Sequence, residues 1–330
     1  MIARPALALL ALAFLVPRPA PAADAPAPPA GAAKPAAPEL GGFPLANLRV
    51  PQDQVQAGGP KRDDIASVDE PRFASLEEAT WVLAENPVLG LALGSEARVY
   101  PVHLIERHQI VNDVVGGTPV AVTYDPLAGS PLAFERNVDG KTLSFGVAGL
   151  VYDANFLMYD RETQSLWSQM RGEAIAGPLS GHKLRRVPLR QETLAAWLER
   201  HPDSKVLTPP SDAIDYRYSP FSSYWVSNRI PYRVDAQDRR FHAKEVVVGV
   251  VRDGKARAYL GSLVTAAGGK LDDEFQGRKI HVEYASADAV FHYDIPADVE
   301  VTEAYWFAWK AFHPDTEVWH DPGDVPPLDE

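Results

Sequence analysis

The chain has 330 residues, carries 32 Lys and Arg against 44 Asp and Glu for a formal charge of −12, and contains no cysteine. The missing thiol excludes disulfides, cysteine nucleophiles and thiolate metal sites. The acidic balance sets the surface against nucleic acid and anionic lipid, so cations and neutral small molecules are the better-matched partners.

In chain order, Met1-Ile2-Ala3-Arg4, the apolar run Ala6 to Val16 and the small residues up to Ala23 have the layout of a cleaved signal peptide, with an apolar stretch too short to span a bilayer. A periplasmic or extracellular protein is expected, with no stable membrane anchor after cleavage. Loss of Arg4 and Arg18 would leave 30 basic against 44 acidic residues, a charge of −14. Residues 24–57 read as a disordered linker, almost wholly Ala and Pro as far as Pro38, a composition that cannot bury a core. The rest divides into a first lobe (58–207), a connecting excursion (208–240) rich in Pro, Ser, Tyr and Arg, a second lobe with an aromatic C-terminal segment (241–320) and an acidic tail (321–330).

Ser75 and Glu78 form a capping-box pattern that predicts a helix from Leu76 to about Glu85, stopped by Asn86-Pro87. Val88–Leu93 and Glu96–Tyr100 read as a hairpin about Gly94-Ser95. Pro101 suits the first turn of a helix running to about Asp113, which sets His108 between Leu104 and Val111 on its inward face and leaves Asn112 and Asp113 at its end. Gly116-Gly117 then turns into an alternating strand, Val120, Val122 and Tyr124, that ends on the loop Asp125–Ser130. Further hairpins are expected about Asp139-Gly140 and Asp160–Thr163, a helix over Glu192–His201, and core closure by the aromatics of Ala304–Phe312.

The chain also repeats itself. Val88–Tyr100 aligns without gaps against Val247–Tyr259, and Val120, Val122 and Tyr124 correspond to Ile280, Val282 and Tyr284. Where the first copy has His108, Asn112, Asp113 and Asp125–Gly129, the second has Gly268-Gly269, Asp272-Asp273 and Ala285–Asp288. This pattern points to a functional first half and a structural second half. The expected fold is α+β, mostly antiparallel β-hairpins with a few short helices, in two pseudo-repeated lobes within one compact body.

Four stretches, HQIVND (108–113), VAVTYDPLAGS (120–130), FGVAGLVYDANFLMYDRETQSLWSQ (145–169) and YWFAWKAFHPDTEV (305–318), resemble the bacterial exported domain-of-unknown-function family 3179. The resemblance runs from about Gly58 to the C-terminus. Its members usually read Tyr-Cys-Pro-Leu-Cys-Gly where this chain has Tyr124, Asp125, Pro126, Leu127, Ala128 and Gly129, so thiol or soft-metal chemistry does not carry over.

Asp125 replaces a soft ligand with a hard carboxylate, suited to a divalent Mg, Ca, Mn or Zn ion or to acid/base work. With a neutral imidazole at His108 and the carboxylate of Asp113, it makes a candidate metal set of His108, Asp113 and Asp125. Asn112, Asp113, Tyr124, Gly129 and Ser130 are candidate ligand contacts, and the resemblance adds Asn155, Asp160 and Trp167. His313 joins only if the C-terminus folds back onto the first half. Each has a plainer reading: a buried histidine satisfied by one hydrogen bond, helix-ending Asn and Asp, a turn aspartate before Pro126. No nucleophile elbow, P-loop, dinucleotide fingerprint or HExxH occurs. Three functions stay open. They are a small-ligand or hard-metal binder, an acid/base or metal-assisted enzyme using His108 and Asp125, and a structural or partner-binding relative with a decayed redox site.

Overall fold

The structure, a computed structural model, describes residues 39–234, 238–287 and 289–320. The expected signal peptide, the Ala/Pro-dense stretch as far as Pro38 and the acidic tail lie outside the described residues.

In chain order the described residues open with β1 (Glu39–Leu40), β2 (Phe43–Pro44), β3 (Val55–Ala57) and β4 (Phe73–Ala74). The hairpin β5 (Pro87–Leu93) and β6 (Glu96–Pro101) leads through the one-turn helix α1 (Val102–Ile105) into β7 (Ile110–Val115), β8 (Thr118–Asp125) and β9 (Ser130–Glu135). After the small pair β10 (Asn137–Val138) and β11 (Lys141–Thr142) come β12 (Phe145–Tyr152), β13 (Asn155–Asp160), β14 (Leu166–Ser168) and β15 (Glu173–Ala176). Next are β16 (Arg186–Val187), β17 (Arg190–Thr193), α2 (Leu194–Arg200), β18 (Lys205–Leu207) and α3 (Ser222–Trp225). The last part holds β19 (Val246–Arg252), β20 (Lys255–Leu260), α4 (Gly261–Ala266), β21 (Lys270–Phe275), β22 (Arg278–Ala285), β23 (Val290–Asp294), β24 (Glu300–Tyr305), α5 (Trp306–Phe312) and β25 (Glu317–Val318).

The expected two-lobed α+β body is overturned. The protein is mostly β, with 42% strand and 11% helix, arranged as a five-bladed β-propeller. The blades are the sheets β17-β5-β6-β18-β4, β16-β9-β8-β7, β15-β14-β13-β12-β3, β24-β19-β20-β25 and β21-β22-β23. Short turns set much of this pairing. Gly116 and Gly117, at φ of +54° and +75°, make the left-handed two-residue turn that matches strand twist and locks Val115 opposite Thr118.

The internal repeat survives as blades rather than lobes. The run β5-β6-α1-β7-β8-β9 is answered element for element by β19-β20-α4-β21-β22-β23. The echo extends further than the hairpins, because β17 returns to pair with β5 just as β24 returns to pair with β19. Each return strand runs into a short helix that lays a tryptophan on a strand glycine: Trp197 on Gly90, Trp309 on Gly249. Each indole N–H then donates to a hydroxyl seven residues on, Trp197 to Ser204 Oγ at 2.8 Å and Trp309 to Thr316 Oγ1 at 3.0 Å. A chain that comes back to complete an earlier sheet cannot split into two independent lobes.

Three local expectations also change. The capping box at Ser75 forms, with the Ser75 amide donating to Glu78 Oε2 at 3.0 Å, but only turns follow. Asn86 Oδ1 accepts from the Leu83 amide at 2.8 Å, which gives the chain a local alternative to the helical ladder. The helix expected from Pro101 to Asp113 stops at Ile105, and Gln109 at φ +59° turns the chain into β7. Residues 39–57, expected as linker, form β1 to β3 and bury Phe43, Leu45, Val50 and Val55 against the blade of β12 to β15.

Candidate functional site

The end of β8 delivers Asp125 into the interior, where it is 2% exposed. Its Oδ1 accepts from the amides of Leu127 (2.9 Å) and Ala128 (3.2 Å), and its Oδ2 from Asn155 Nδ2 (2.9 Å) and the Phe156 amide (2.8 Å). Burial pushes this carboxyl up, and the four donors pull against that rise. A carboxylate is tolerable in such a place only because its lone pairs are occupied. Asn155 Nδ2 also reaches Gln169 Oε1 at 2.9 Å, Ser130 Oγ donates to the same oxygen at 3.0 Å, and Gln169 Nε2 donates to Thr123 Oγ1 at 3.1 Å. Asp125, Ser130 and Asn155 are thus brought together as a latch between the β7–β9 blade and the β12–β15 blade.

The remaining expected residues go elsewhere. Both His108 nitrogens are engaged, Nδ1 with Ala66 O at 2.7 Å and Nε2 with Tyr216 Oη at 2.8 Å, and burial holds the imidazole below its usual range. Asn112 and Asp113 sit in β7, not at a helix end, so alternation sends their side chains to opposite faces. Asn112 donates to Asp69 Oδ1 (2.7 Å) and Phe145 O (2.8 Å), whereas Asp113 accepts from Tyr100 Oη at 2.7 Å. Asp113 pairs across the sheet with Val120, five residues before Asp125, a separation of about 17 Å at strand rise. The proposed trio His108, Asp113 and Asp125 therefore does not converge. Among the described residues, no group of three or more His, Cys, Asp or Glu stands close enough to hold a metal.

Asp160 and Trp167 form a pair inside their own blade, with Trp167 Nε1 donating to Asp160 Oδ2 at 2.9 Å. Asp160 also takes the Thr163 amide at 2.6 Å, closing the hairpin turn. Gly129, at φ +61°, lies against the Tyr305 ring, which would stand 3.0 Å from an added Cβ. His313 is stacked on Trp309 at 3.9 Å between ring centroids and is pushed down to about 4 by burial.

Two carboxyls escaped sequence reasoning. Glu106, the residue after α1, is 1% exposed, and neither of its oxygens completes a hydrogen bond of ordinary geometry. Burial raises it to about 7, opposed by neighbouring Ser219 and Arg107. Glu303 on β24 is also buried and raised to about 7 by desolvation, with Tyr293 Oη donating to Oε1 at 3.2 Å. Glu303 borders a cavity of about 230 Å³ at the meeting of four blades, with Leu132, Arg186, Arg190, Tyr293 and Val301 among its walls. The Arg190 guanidinium lies 3.8 Å above the Tyr293 ring, and Arg186 donates to Met170 O at 2.8 Å. The only sequence signal for Glu303 was an acid in the middle of a strand otherwise feeding an aromatic helix. Glu106 had none.

The model of a family described as "Protein of unknown function (DUF3179)" matches residues 62–296, more than two thirds of the chain and including β5 to β9 with the latch loop. The chain belongs to this family. No curated protein and no solved structure matches it. In this DUF3179 member the two positions that depart from the Tyr-Cys-Pro-Leu-Cys-Gly pattern are both interior: Asp125 is the acceptor at the centre of the latch, and Ala128 is fully buried in the core. The exchange converts the loop into a packing element whose only ionisable group is saturated.

Proposed function

We propose that this DUF3179 member is an exported protein that binds a small organic ligand, without turning it over, in the cavity where four blades meet. The observation that carries the reading is the composition of that cavity. Its walls are largely apolar, from Pro131, Leu132, Pro188, Ile295 and Val299, and a few polar side chains converge on it, Arg190, Tyr293 and Glu303. That mixture is the usual make-up of a small-molecule site, with apolar area for affinity and a few polar groups for orientation. The guanidinium suits an acceptor such as a carboxylate, Glu303 suits a donor, and the apolar walls suit a short hydrocarbon between them.

The latch supports this reading indirectly. It holds Ser130 at the start of β9, whose next residues Pro131, Leu132 and Ala133 line the cavity. A binder is favoured over an acid/base enzyme because His108 and Asp125 have no uncommitted ring nitrogen or carboxylate oxygen to offer a substrate. The hard-metal form of the reading has no ligand cluster to rest on among the described residues.

The test is a thermal-shift screen of small carboxylates, amino acids and hydroxy acids against the wild type, Arg190→Ala and Glu303→Gln. A true ligand raises the wild-type midpoint by a few degrees once it is far above its dissociation constant, and the rise shrinks in both variants. A ligand whose shift is the same in all three proteins binds elsewhere and removes the cavity from consideration.

A further inference from the structure

Glu106 is the buried acid that neither the latch nor the cavity uses. Its carboxyl is enclosed yet unpartnered, with Ser219 facing it without completing a bond. Tyr124 and Tyr305 stand near enough for their phenols to sense its charge, but neither hydroxyl is hydrogen-bonded to it. A carboxylate ringed by hydroxyls that stop short of it leaves room for one more donor.

The internal repeat shows that the fold does not require this group. The residue in the same place after the equivalent helix turn of the second copy is Thr265, whose hydroxyl is satisfied locally by Gly261 O at 2.8 Å. The first copy therefore carries an uncompensated buried acid where its twin carries a neutral, self-satisfied side chain. Burying an ionisable group without a partner costs free energy, and such costs are retained where a ligand is recognised.

We propose that Glu106, Tyr124 and Tyr305 form a recognition site for a small primary ammonium group. An –NH3⁺ head has three donors and no acceptor. Two carboxylate oxygens and the phenol oxygens supply acceptors, and the rings add cation–π attraction. A divalent metal fits less well, because it asks for six or more oxygen ligands and the adjacent Asp125 has already spent its own. The excess of negative charge over the whole chain draws cations toward the protein. Over the site, the turn bearing Ser219 is tied to the α1 region by isolated side-chain bonds, Arg107 Nη2 to Tyr218 O at 2.9 Å and His108 Nε2 to Tyr216 Oη at 2.8 Å. Opening that turn breaks no sheet ladder.

The probe is methylammonium, titrated calorimetrically into the full chain and into Glu106→Gln, Tyr305→Phe and Glu303→Gln. Saturable uptake by the wild type is expected, with at least a tenfold loss of affinity in Glu106→Gln and a smaller loss in Tyr305→Phe. Tetramethylammonium, which has no N–H, should bind more weakly than methylammonium. Glu106→Gln alone should melt at or above the wild-type temperature, since it removes only an unpaired buried charge. The proposal is overturned by a wild type that takes up no methylammonium, by a Glu106→Gln protein that titrates like wild type, or by a lowered melting point in that variant, which would make the carboxylate a structural group. Uptake lost in Glu303→Gln and kept in Glu106→Gln would assign the ammonium to the four-blade cavity instead.

Discussion

Tyr100 donates its hydroxyl to Asp113 Oδ2 at 2.7 Å, and one repeat later Tyr259 donates to Asp273 Oδ2 at 2.9 Å. A pair that recurs at the same place in both copies is part of the blade's construction, so Asp113 is an anchor that ties β6 to β7. Replacing Asp113 with Ala strands a fully buried phenol and should cost about 1–3 kcal/mol. Asp273→Ala should cost less, because Arg257 Nη1 also holds that carboxylate at 2.7 Å from a more open position. Urea unfolding of both variants checks the order, and an Asp113→Ala protein as stable as wild type would remove the anchor.

The two tryptophan–glycine contacts make a second matched pair. A Cβ on Gly90 would lie 2.2 Å from the Trp197 ring, and one on Gly249 would lie 2.3 Å from the Trp309 ring. Both indoles are buried and pinned by their N–H bonds, so they cannot move aside cheaply. Gly90→Ala and Gly249→Ala should each destabilise by about 3 kcal/mol or more through overpacking. The cause is isolated by a double variant: Gly90→Ala should be partly rescued by Trp197→Leu, and additive losses would show that the clash is not the reason.

Much of the blade pattern could be read from the residues. The hairpin glycines and period-2 runs set the strands of both copies, because turn chemistry and alternation act over a few residues. The repeat was visible from Val88 to Tyr100, but its second arm, Trp197 to Ser204 against Trp309 to Thr316, was not. It lies 112 residues apart rather than 159 and becomes legible only when the return strands are seen to pair with β5 and β19. The helix from Pro101 failed because Leu104, His108 and Val111 satisfy a 3.6-residue period while Ile110 to Val115 satisfies alternation. The β-branched residues decided in favour of the strand. Spacing alone could show that Asp125 was unusual but not that Asn155 and Gln169 would arrive to saturate it. Those partners come from another blade.

The latch predicts a large penalty at a single position. Asp125→Ala would leave three backbone amides and the Asn155 side-chain amide without their acceptor, all in the interior. A loss of about 3 kcal/mol or more is expected from orphaned donors of this number. Asn155→Ala should lose less, since the backbone amides keep the carboxylate. Denaturant midpoints decide between this and the surface-turn reading of Asp125, under which the alanine variant would lose under about 0.5 kcal/mol.

Glu303 makes the pH dependence specific. Its folded pKa of about 7 lies above the ordinary value of 4.5, with burial as the main cause and Tyr293, Arg190 and Glu192 as its charged or polar neighbours. A carboxyl whose affinity for its proton rises on folding binds more protons in the native state than in the unfolded one. Its contribution is therefore complete below about pH 4.5 and is lost as pH rises toward and through 7. The shift corresponds to roughly 3 kcal/mol between those limits. Other buried acids, Glu106, Asp113 and Asp125 among them, are shifted in the same direction, so the wild-type slope alone does not isolate Glu303. The difference between wild type and Glu303→Gln does, because the amide keeps an acceptor for the Tyr293 hydroxyl and removes only the titration. Urea unfolding at pH 5 and pH 8 should show the variant losing less stability than wild type across that interval and exceeding it at pH 8. Parallel curves for the two proteins would mean that Glu303 keeps an ordinary carboxyl pKa in the folded state, and the cavity would then present a plain negative charge to any ligand at neutral pH.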